Sequence, residues 1–308
     1  MPRRFLILAN PIAGGGRAAR RAEQLVAELR ERGMAAELHL TRDAGDATRR
    51  VAAMPKDDPP WDGVVAAGGD GTVNDVLHGL LEHGGASHAP LLPMAVLPVG
   101  TGNVLASELG LPRKPAQLAD LIADISHTRQ VAIGTAGEQH FLLFAGIGYD
   151  AAMVHRFAQT RTSHAGPGLK RLRWRGPVFH VLRRWRSDQV LVELPDGTKH
   201  GPYTEVLVTR VRNYGGAFRL PHFVEIGDGR LHILAFKTRH RLRWIPFVLR
   251  GLFGMLRRGK DLDWFPTTSA RLLHEGDPAP IQVDGDPAGQ TPVDLGVHPR
   301  PSVLFCPP

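Results

Sequence analysis

The chain has 308 residues with an apolar fraction of 43%, which is enough for about two packed domains. Its single cysteine, Cys306, excludes an internal disulfide framework and favours a reducing compartment. The net charge is +8, and no apolar run reaches the roughly 18 residues that a membrane-spanning helix needs. The first apolar run is also too short for a signal peptide, so we expect a cytoplasmic protein.

The first part of the chain alternates between strand and helix patterns. Short apolar runs predict strands, and apolar residues at helical spacing predict the helices between them. This alternation indicates a parallel sheet with covered faces, in which ligands bind beyond the carboxyl ends of the strands. The predicted strands are Phe5–Ala9, Ala35–Leu40, Val64–Ala67 and Met94–Val99, and the predicted helices are Arg17–Arg32, Gly45–Ala53, Val73–His83, Asn103–Leu109 and Ala116–Ile125.

From about Gln130 the pattern changes to short strands separated by turn signals, which predicts an antiparallel β domain. Two helical patterns interrupt it, at Gly176–Arg186 and at Leu242–Leu256. We therefore predict an α/β domain at residues 1–129 and a β-rich domain at residues 130–308, whose last strand is a candidate to return to the first domain. The predicted strands are Val131–Ile133, Phe141–Gly146, Gln189–Leu194, Thr204–Arg210, Leu231–Phe236, Ser269–Leu273, Ile281–Val283 and Ser302–Phe305.

Positive charge is concentrated in two segments of the second domain, Thr160–Arg186 and Lys237–Lys260. Each segment holds eight Lys or Arg residues and no Asp or Glu, and each also contains large aromatic residues. Basic residues mixed with aromatics favour an anionic membrane surface or a nucleic acid, and a plain solvated basic face is the alternative. In Leu242–Leu256 the arginines and the apolar residues fall on different faces, which is typical of a helix that lies in a membrane interface.

The segment from Val64 to Leu80 contains the strongest signal for chemistry. An apolar strand ends at Gly68-Gly69, and a helix pattern follows from Val73. Free backbone N–H groups at the start of a helix bind phosphate, and the carboxylate of Asp70 beside them can hold Mg²⁺. A plain surface turn is the alternative for so short a motif.

Two further glycine segments follow predicted strands. Asn10–Gly16 comes after the first strand and precedes a helix, and Gly100–Asn103 comes after the strand Met94–Val99. Glycine at these places allows the backbone to approach a phosphate closely. Asn103 is also well suited to cap the following helix, which is its alternative role.

Taken in order, these and four later motifs resemble the diacylglycerol kinase-like catalytic family, which includes bacterial lipid kinases, sphingosine kinases and ceramide kinases. The resemblance extends over nearly the whole chain. The ordered set is far more specific than Gly-Gly-Asp-Gly-Thr alone, which NAD kinases and phosphofructokinases share. The motifs are Asn10-Pro11-Ile12-Ala13-Gly14, Gly68-Gly69-Asp70-Gly71-Thr72-Val73-Asn74, Pro98-Val99-Gly100-Thr101-Gly102-Asn103, Gly146-Ile147-Gly148-Tyr149-Asp150, Asn213-Tyr214-Gly215-Gly216, Asp228-Gly229-Arg230-Leu231 and Asp284-Gly285-Asp286.

The resemblance implies an α/β plus all-β fold with two lobes. The first lobe would be a Rossmann-like parallel sheet of the phosphofructokinase and NAD kinase type, and the second an antiparallel β-sandwich-like domain that binds the lipid. ATP and Mg²⁺ are the implied cofactors, with ATP in the cleft between the lobes. The implied nucleotide-binding residues are Asn10, Thr41, Gly68, Gly69, Asp70, Gly71, Thr72, Asn74, Gly100, Thr101 and Asn103.

The resemblance also implies catalytic and metal-binding roles. It assigns Asp70 to the catalytic magnesium network and Asp286 to the position of the general base. It further implies a structural Mg²⁺ in the second lobe, bound by the Asp228 carboxylate and by the backbone carbonyls of Glu225 and Arg230. A plain Asp-Gly turn is the alternative for Asp228.

Two positions depart from the family pattern. Asp286 stands where the family has Glu, so its carboxylate reaches one methylene less far. Val104 stands where the family often has Asp, although Gly100–Ala106 still resembles a bacterial variant of the motif. We interpret the valine as variation within the family, and it leaves open whether position 104 takes part in magnesium binding.

The leading hypothesis is an ATP-dependent lipid kinase that transfers the γ-phosphate of ATP to a lipid hydroxyl. Diacylglycerol, phosphatidylglycerol, sphingoid and ceramide-like acceptors all fit it. The expected partners are the lipid and an anionic membrane surface, bound peripherally from the cytoplasm, with no nucleic acid; a homodimer is one open oligomeric state. The alternatives are an NAD kinase-like enzyme with a soluble substrate and a catalytically inactive module that binds nucleotide or membrane.

Overall fold

The computed structural model describes residues 2–55, 60–85, 89–160, 189–214, 218–237 and 250–308. These residues form two compact units: the first runs to Ile133 and includes Pro299–Pro308, and the second is Gly134–His298. The helices are α1 (Arg17–Glu31), α2 (Asp46–Ala52), α3 (Asp70–Gly84), α4 (Val104–Glu108), α5 (Pro115–Ala123) and α6 (Tyr149–Thr160). The strands are β1 (Arg4–Ala9), β2 (Ala35–Leu40), β3 (Gly63–Gly68), β4 (Met94–Pro98), β5 (Thr128–Val131), β6 (Gly134–Ala136), β7 (Gln139–Phe141), β8 (Phe144–Ile147), β9 (Val190–Glu193), β10 (Lys199–Tyr203), β11 (Glu205–Thr209), β12 (Asn213–Tyr214), β13 (Phe218–Arg219), β14 (Leu231–Phe236), β15 (Leu262–Thr267), β16 (Ser269–His274), β17 (Pro280–Val283), β18 (Asp286–Gln290), β19 (Val293–Val297) and β20 (Ser302–Phe305).

The first unit is built around a six-stranded sheet with the order β2-β1-β3-β4-β20-β5. Its neighbouring strands are parallel from β2 to β20, and β5 is antiparallel to β20. The last strand of the chain, β20, thus lies in the sheet of the first unit, between β4 and β5. All residues of β3 and β4 are buried, as expected for parallel strands that are covered on both faces.

Helix α1 illustrates how the sequence pattern determines the packing of the first unit. Its buried residues Ala18, Ala22, Leu25 and Leu29 recur every three or four positions, so they form one face of the helix. This face joins a core that also contains residues of β1, β3, β4 and α5. Each fully buried leucine contributes roughly 1.5–3 kcal/mol to folding. The core therefore holds the parallel strands, and hence their ends, in fixed positions.

The carboxyl ends of β1, β3 and β4 lie side by side because these strands are parallel neighbours. Backbone hydrogen bonds continue across the strand ends. Asn10 N donates to Ala67 O at 3.2 Å, while Val99 N and Gly100 N donate to Gly68 O at 2.8 and 3.0 Å. The three glycine segments of the sequence therefore meet at one edge of this sheet.

The second unit contains two six-stranded antiparallel sheets, ordered β10-β9-β16-β19-β6-β7 and β15-β14-β11-β8-β17-β18. One apolar core includes residues from both sheets, such as Val192 and Leu272 from the first and Val206, Ile233 and Ile281 from the second. The sheets therefore pack face to face as a β-sandwich. Helix α6 packs against β8, β17 and β18, and β12 and β13 form a separate short hairpin.

The sequence predicts no strand where the structure has β6, β10, β12, β13, β15, β18 and β19, and two further elements of the second unit also differ from the prediction. The segment Phe141–Gly146, which is predicted as one strand, is divided between β7 and β8. The division occurs because the backbone N–H groups of residues 142–144 donate to the carboxylate of Asp284, which follows β17. The sequence predicts no helix at Tyr149–Thr160, where the structure has α6. Only Ala151 and Val154 of this helix are buried apolar residues, so its apolar periodicity is weak.

The two predicted basic helices fall largely outside the described residues. Gly176–Arg186 lies outside them entirely, and Leu242–Leu256 lies outside them up to residue 249. In the described remainder the helix ends at residue 252 rather than 256, because Gly254 adopts a left-handed conformation with φ of 66°. None of the helices in the described ranges is both long and apolar enough to cross a membrane.

Candidate active site

Asp70 lies in the first turn of α3, three residues before the start that the sequence predicts. The helix begins early because the carbonyl oxygen of Gly69, at the N-cap position, accepts bonds from Thr72 N at 3.0 Å and Val73 N at 3.2 Å. The positive end of the α3 dipole consequently lies at the end of β3, which is where phosphate binding is predicted.

The Asp70 carboxylate joins α3 to α4. Its Oδ2 accepts a bond from Val104 N at 3.0 Å, and its Oδ1 accepts one from Leu105 N at 3.2 Å. Asn103 occupies the N-cap position of α4, but its side chain makes no capping bond and instead donates to Gly100 O at 2.7 Å. The capping role predicted as an alternative for Asn103 is therefore performed by Asp70.

Gly100 and Gly69 pack backbone against backbone. A Cβ atom at position 100 would lie 2.4 Å from the Cα of Gly69, so no side chain fits there. This close approach brings the segment after β4 onto the segment after β3. The two segments form one continuous surface of backbone and small side chains.

The other predicted nucleotide-binding residues lie around the same strand ends. Thr41 follows β2, and its backbone N–H donates to Ala9 O at 2.9 Å, while the Asn10 side chain accepts a bond from Ile12 N at 3.2 Å. Gly71 and Thr101 are exposed, whereas Thr72 is buried in the first turn of α3. The predicted nucleotide-binding residues other than Asn74 thus lie at the carboxyl ends of β1, β2, β3 and β4 or in the segments that follow them, and Asn74 lies on α3.

Asn74 and Asn103 each bury a side-chain oxygen that has no hydrogen-bond partner within the described part of the chain. Buried oxygens of this kind normally have a partner, so a ligand or a water is expected to complete them. Asn74 follows Asp70 by four residues on α3, which places both side chains on one face of the helix. Carboxylate and amide oxygens are ligands that Mg²⁺ prefers, and it is typically held by one or two carboxylates together with substrate phosphates. The residues at this edge therefore fit a magnesium ion that arrives with a nucleotide.

In the second unit, the candidate base lies on the tight turn between β17 and β18. Asp284 and Gly285 both have positive φ, 47° and 90°. The Asp284 carboxylate accepts backbone bonds from Leu142 at 3.1 Å, Leu143 at 3.1 Å and Phe144 at 2.9 Å. Asp286 follows on the exposed side of the turn. Asp284 is thus the anchor of the turn, and Asp286 is the carboxylate that faces solvent.

A network of buried polar side chains holds this turn in place. Gln282 donates to Asp150 Oδ2 at 3.0 Å and accepts a bond from Gly285 N at 2.9 Å. Tyr214 also donates to Asp150 Oδ2, at 2.6 Å. The Glu205 carboxyl lies within hydrogen-bonding range of Asp150, whose Oδ1 has no other partner among the described residues. The network connects the predicted motifs at residues 146–150, 213–216 and 284–286.

Burial governs the ionisation of this network. It raises the pKa of Glu205 well above its usual value, and the nearby Asp150 charge raises it further. Burial also raises the pKa of Asp150, while hydrogen bonds from Tyr214, Glu205 and Gln282 act in the opposite direction. Burial raises the pKa of Tyr214 as well, so this phenol stays protonated and can donate.

Glu205 is a site residue that the sequence reasoning missed. It is the one charged residue of the buried strand β11. A charged residue in a buried strand is unusual, and this was the feature of the sequence that could have identified Glu205. Gly148 provides the space for it, because a Cβ there would lie 2.5 Å from Glu205 Oε2 and the φ of Gly148 is 121°. The glycine of the motif is therefore explained by the buried carboxyl pair.

The predicted structural metal ligands lie in the loop before β14, and the oxygens of Asp228 and Arg230 already have partners there. Asp228 Oδ1 accepts a bond from Arg230 N at 3.0 Å, and its Oδ2 lies 2.9 Å from His232 Nε2. The Arg230 carbonyl accepts a bond from the Arg210 guanidinium at 3.0 Å. What distinguishes this loop from the site of Asp70 is that a guanidinium and an imidazole already contact two of the three implied oxygen sources, the Arg230 carbonyl and the Asp228 carboxylate.

Comparison with known proteins agrees with this architecture. Residues 4–136 match the family model of the diacylglycerol kinase catalytic domain. The chain is 29% identical to a diacylglycerol kinase of Mycobacterium tuberculosis over 304 residues, which cover 95% of this chain and 91% of that one. Among solved structures, a diacylglycerol kinase from Bacillus anthracis has a TM-score of 0.69 and 21% identity, and the match covers 99% of this chain and 97% of that one.

An NAD kinase from Archaeoglobus fulgidus, solved in complex with ATP, also matches, with a TM-score of 0.53 and 11% identity over 98% of this chain and 93% of that one. At such low identity the two structural matches show the fold. They confirm the predicted class, an α/β sheet of the NAD kinase type combined with an antiparallel β domain. The motifs and the family model agree, and residues 4–136 resemble the diacylglycerol kinase catalytic domain.

Proposed function

We propose that the chain is an ATP-dependent lipid kinase, which transfers the γ-phosphate of ATP to a lipid hydroxyl. One observation carries the proposal: three glycine segments meet at the ends of β1, β3 and β4, within a catalytic domain of the diacylglycerol kinase family. Relatives named diacylglycerol kinase support the coarser conclusion that the chain is a phosphotransferase. ATP as the donor and a lipid as the acceptor are the proposed refinements.

In this proposal the edge of the first unit binds the nucleotide. The α3 N-terminus and the backbone of Gly68–Thr72 and Gly100–Asn103 would contact the phosphates, with Asn10 and Thr41 beside them. Asp70 would hold Mg²⁺, with Asn74 and Asn103 contributing their open side-chain oxygens. The bound ion would neutralise charge on the β- and γ-phosphates as the transition state forms.

Asp286 would act as the general base. Its exposed carboxylate accepts the proton of the lipid hydroxyl while the hydroxyl oxygen bonds to the γ-phosphorus. The bond between that phosphorus and the β–γ bridging oxygen breaks, and ADP leaves with the electron pair. Asp284 and Gln282 hold the turn, so that the position of Asp286 is fixed before the substrate binds.

Peripheral contact with an anionic membrane is the second part of the proposal. Leu252, Phe253 and Met255 are exposed, with Phe253 at 71%, and they lie within the basic segment Lys237–Lys260. Three basic groups nearby are paired with acids: Lys237 with Asp263 at 2.7 Å, and Arg250 and Arg257 with Asp261 at 2.8 and 3.5 Å. These ion pairs reduce the positive charge that is available to an anionic membrane. We therefore expect the exposed apolar residues to supply a large part of the membrane affinity.

An NAD kinase-like activity is the second candidate, because the fold also matches an NAD kinase in complex with ATP. One assay separates the candidates: the full-length protein is incubated with γ-labelled ATP, Mg²⁺, mixed-lipid vesicles and NAD. Label in the organic phase supports the lipid kinase, and label in NADP supports the alternative. ATP binding without any transfer would contradict both activities and favour a nucleotide-binding module. Repeating the assay with purified diacylglycerol, phosphatidylglycerol, sphingoid base and ceramide identifies the acceptor.

A further inference from the structure

Arg210 directly follows β11 and is completely buried in the second unit. Its Nη1 donates to the Arg230 carbonyl at 3.0 Å, and its Nη2 donates to the Ile226 carbonyl at 3.2 Å. Its own backbone N–H donates to Leu143 O at 2.9 Å. The guanidinium thus lies inside the loop that precedes β14 and bonds to backbone oxygens on both sides of Asp228.

A buried cation needs a compensating charge, and Asp228 is the acid that lies in the chain between the two carbonyl groups that the guanidinium contacts. Burial lowers the pKa of Arg210 to about 10, while the Asp228 charge acts to raise it. Asp228 is itself held in place, because its Oδ1 accepts the N–H of Arg230 at 3.0 Å. Loop, carboxylate and guanidinium therefore form one charge-balanced unit.

His232 occupies the other side of the Asp228 carboxylate. Its Nε2 lies 2.9 Å from Asp228 Oδ2, which is a close electrostatic contact. Trp264 Nε1 donates to His232 Nδ1 at 3.1 Å, which leaves the ring proton on Nε2, facing the carboxylate. The indole ring is nearly coplanar with the imidazole, at an interplanar angle of 5°.

These contacts use the oxygens that a structural metal would need. Of the three oxygen sources that the family resemblance implies, the Arg230 carbonyl accepts a bond from Arg210, and the Asp228 carboxylate lies against His232. A magnesium ion needs about six oxygens at about 2.1 Å in near-octahedral directions, and the guanidinium and the imidazole already take up two of the implied oxygen sources. We propose that the Arg210 guanidinium, assisted by His232, takes the place of the structural divalent cation, and that this loop folds without a metal.

The inference does not rest on the proposed kinase activity, and it leaves the nucleotide-bound Mg²⁺ of the first unit untouched. It concerns only which positive group organises the loop of Asp228. A guanidinium is suited to that task because it stays protonated at neutral pH and offers N–H groups in fixed directions. The experiment that tests this proposal therefore measures the stability of the protein rather than its turnover.

The test compares the thermal unfolding of the full-length wild type and of Asp228→Asn, without nucleotide, in EDTA and in Mg²⁺ or Ca²⁺. A structural ion at about a hundred times its Kd would raise the Tm by roughly 5–10 °C for a unit of this size. We expect the metal-induced shifts of the two proteins to agree within about 1 °C, because Asp70 is present in both and no ion binds at Asp228. A shift of several degrees in the wild type that Asp228→Asn lacks would overturn the proposal.

A second variant tests the guanidinium itself. Arg210→Met keeps a long side chain but removes the charge and the donors, so the Ile226 and Arg230 carbonyls lose their partner. We expect a lower Tm in EDTA and a partial recovery in Mg²⁺ or Ca²⁺ that the wild type does not show. Arg271→Met is the matched control: this arginine is exposed on β16, and its loss is expected to leave the Tm unchanged.

If Arg210→Met were as stable as the wild type in EDTA, the guanidinium would not be the organising cation, and the proposal would fail. If this variant does not fold, the comparison of the wild type with Asp228→Asn still decides. Calorimetry resolves the second unit if the two units unfold separately.

Discussion

The carboxyl groups of Asp150 and Glu205 face each other within hydrogen-bonding range in the interior of the second unit, although they come from different elements, α6 and β11. Two carboxylates this close cannot both be ionised in a buried site without a large electrostatic penalty, so the pair retains one proton. Asp150 already accepts bonds from Tyr214 and Gln282, which stabilise its charged form. The proton therefore resides on Glu205, which donates it to Asp150.

Replacing Glu205 by glutamine is expected to change how stability depends on pH. At pH values below its ordinary pKa of 4.5, Glu205 is protonated in both the folded and the unfolded chain, so its contribution to stability is complete. As the pH rises from there towards the raised folded pKa, unfolding releases this proton, and stability falls by up to about 1.4 kcal/mol per pH unit. Glu205→Gln cannot release a proton, so its free energy of unfolding should vary less over this range in denaturant titrations.

Glu205→Ala is the companion variant for this measurement. It removes the donor to Asp150, and we expect it to be about 1–3 kcal/mol less stable than Glu205→Gln at neutral pH. A glutamine variant that kept the full wild-type slope would show that Glu205 is ionised in the folded protein, contrary to our assignment of the proton.

Asp70→Asn is expected to lower phosphotransfer several hundred-fold or more, as the loss of a major electrostatic group does. The structure adds a second consequence. An asparagine can accept with only one of its two polar atoms, so one of the bonds to Val104 N and Leu105 N is lost, at about 1–3 kcal/mol. Turnover and the free energy of unfolding should both be measured, with the exposed Asp294→Asn as the control. Near-wild-type turnover of Asp70→Asn at saturating Mg²⁺ would refute its catalytic role.

Much of the first unit could be predicted from the sequence because its signals are local. Apolar runs and helical spacing determine β1, β3 and α1, and each observed element lies within a few residues of its prediction. The start of α3 is an instructive exception. The pattern of apolar residues begins only at Val73, whereas the hydrogen bonds to Gly69 O begin the helix at Asp70. Apolar periodicity detects the buried face of a helix, but it cannot detect a first turn that buries nothing.

The polar networks of the second unit could not be predicted, because they join residues that are distant in the chain. Arg210 and Arg230 are 20 residues apart, and Gln282 and Asp150 are 132 apart. No local pattern marks such pairs. The motifs around Asp150, Asp228 and Asp284 were recognised by their order along the chain. That order could not reveal which of these carboxylates anchors a turn, which shares a proton and which balances a buried arginine.

Phe253→Ser is expected to weaken binding to anionic vesicles roughly tenfold or more, because the phenylalanine ring contributes on the order of 1.5–3 kcal/mol when it enters an apolar phase. Ile125→Ser is the control, since Ile125 is also exposed, at 52%, but belongs to the first unit. Sedimentation with vesicles measures both variants, and added salt should weaken the binding of the wild type. Equal sedimentation of the wild type with neutral and anionic vesicles would contradict an electrostatic component.

Asp284 and Asp286 stand on the same turn, and the structure gives them different roles that mutation can separate. Asp284 accepts three backbone N–H groups, so Asp284→Asn should lower the free energy of unfolding by about 1–3 kcal/mol or more. Asp286 is exposed at the start of β18, so Asp286→Asn, which keeps the size of the side chain, should cost less stability than Asp284→Asn. Measuring the stability of both variants therefore separates a loss of turnover caused by a missing base from one caused by a destabilised turn.

If Asp286 is the general base, Asp286→Asn should reduce kcat roughly a hundred-fold or more, as the loss of a positioned base does, and leave the affinity for ATP nearly unchanged. A lipid hydroxyl has a pKa far above neutral, and an amide cannot take its proton. Asp286→Glu restores the family residue and lengthens the side chain by one methylene, so it should retain or raise activity. Single-turnover transfer to a lipid hydroxyl, with ATP affinity measured separately, distinguishes loss of the base from loss of nucleotide binding. Full activity of Asp286→Asn would mean that the reaction proceeds without this carboxylate, since Asp284 is committed to three backbone bonds.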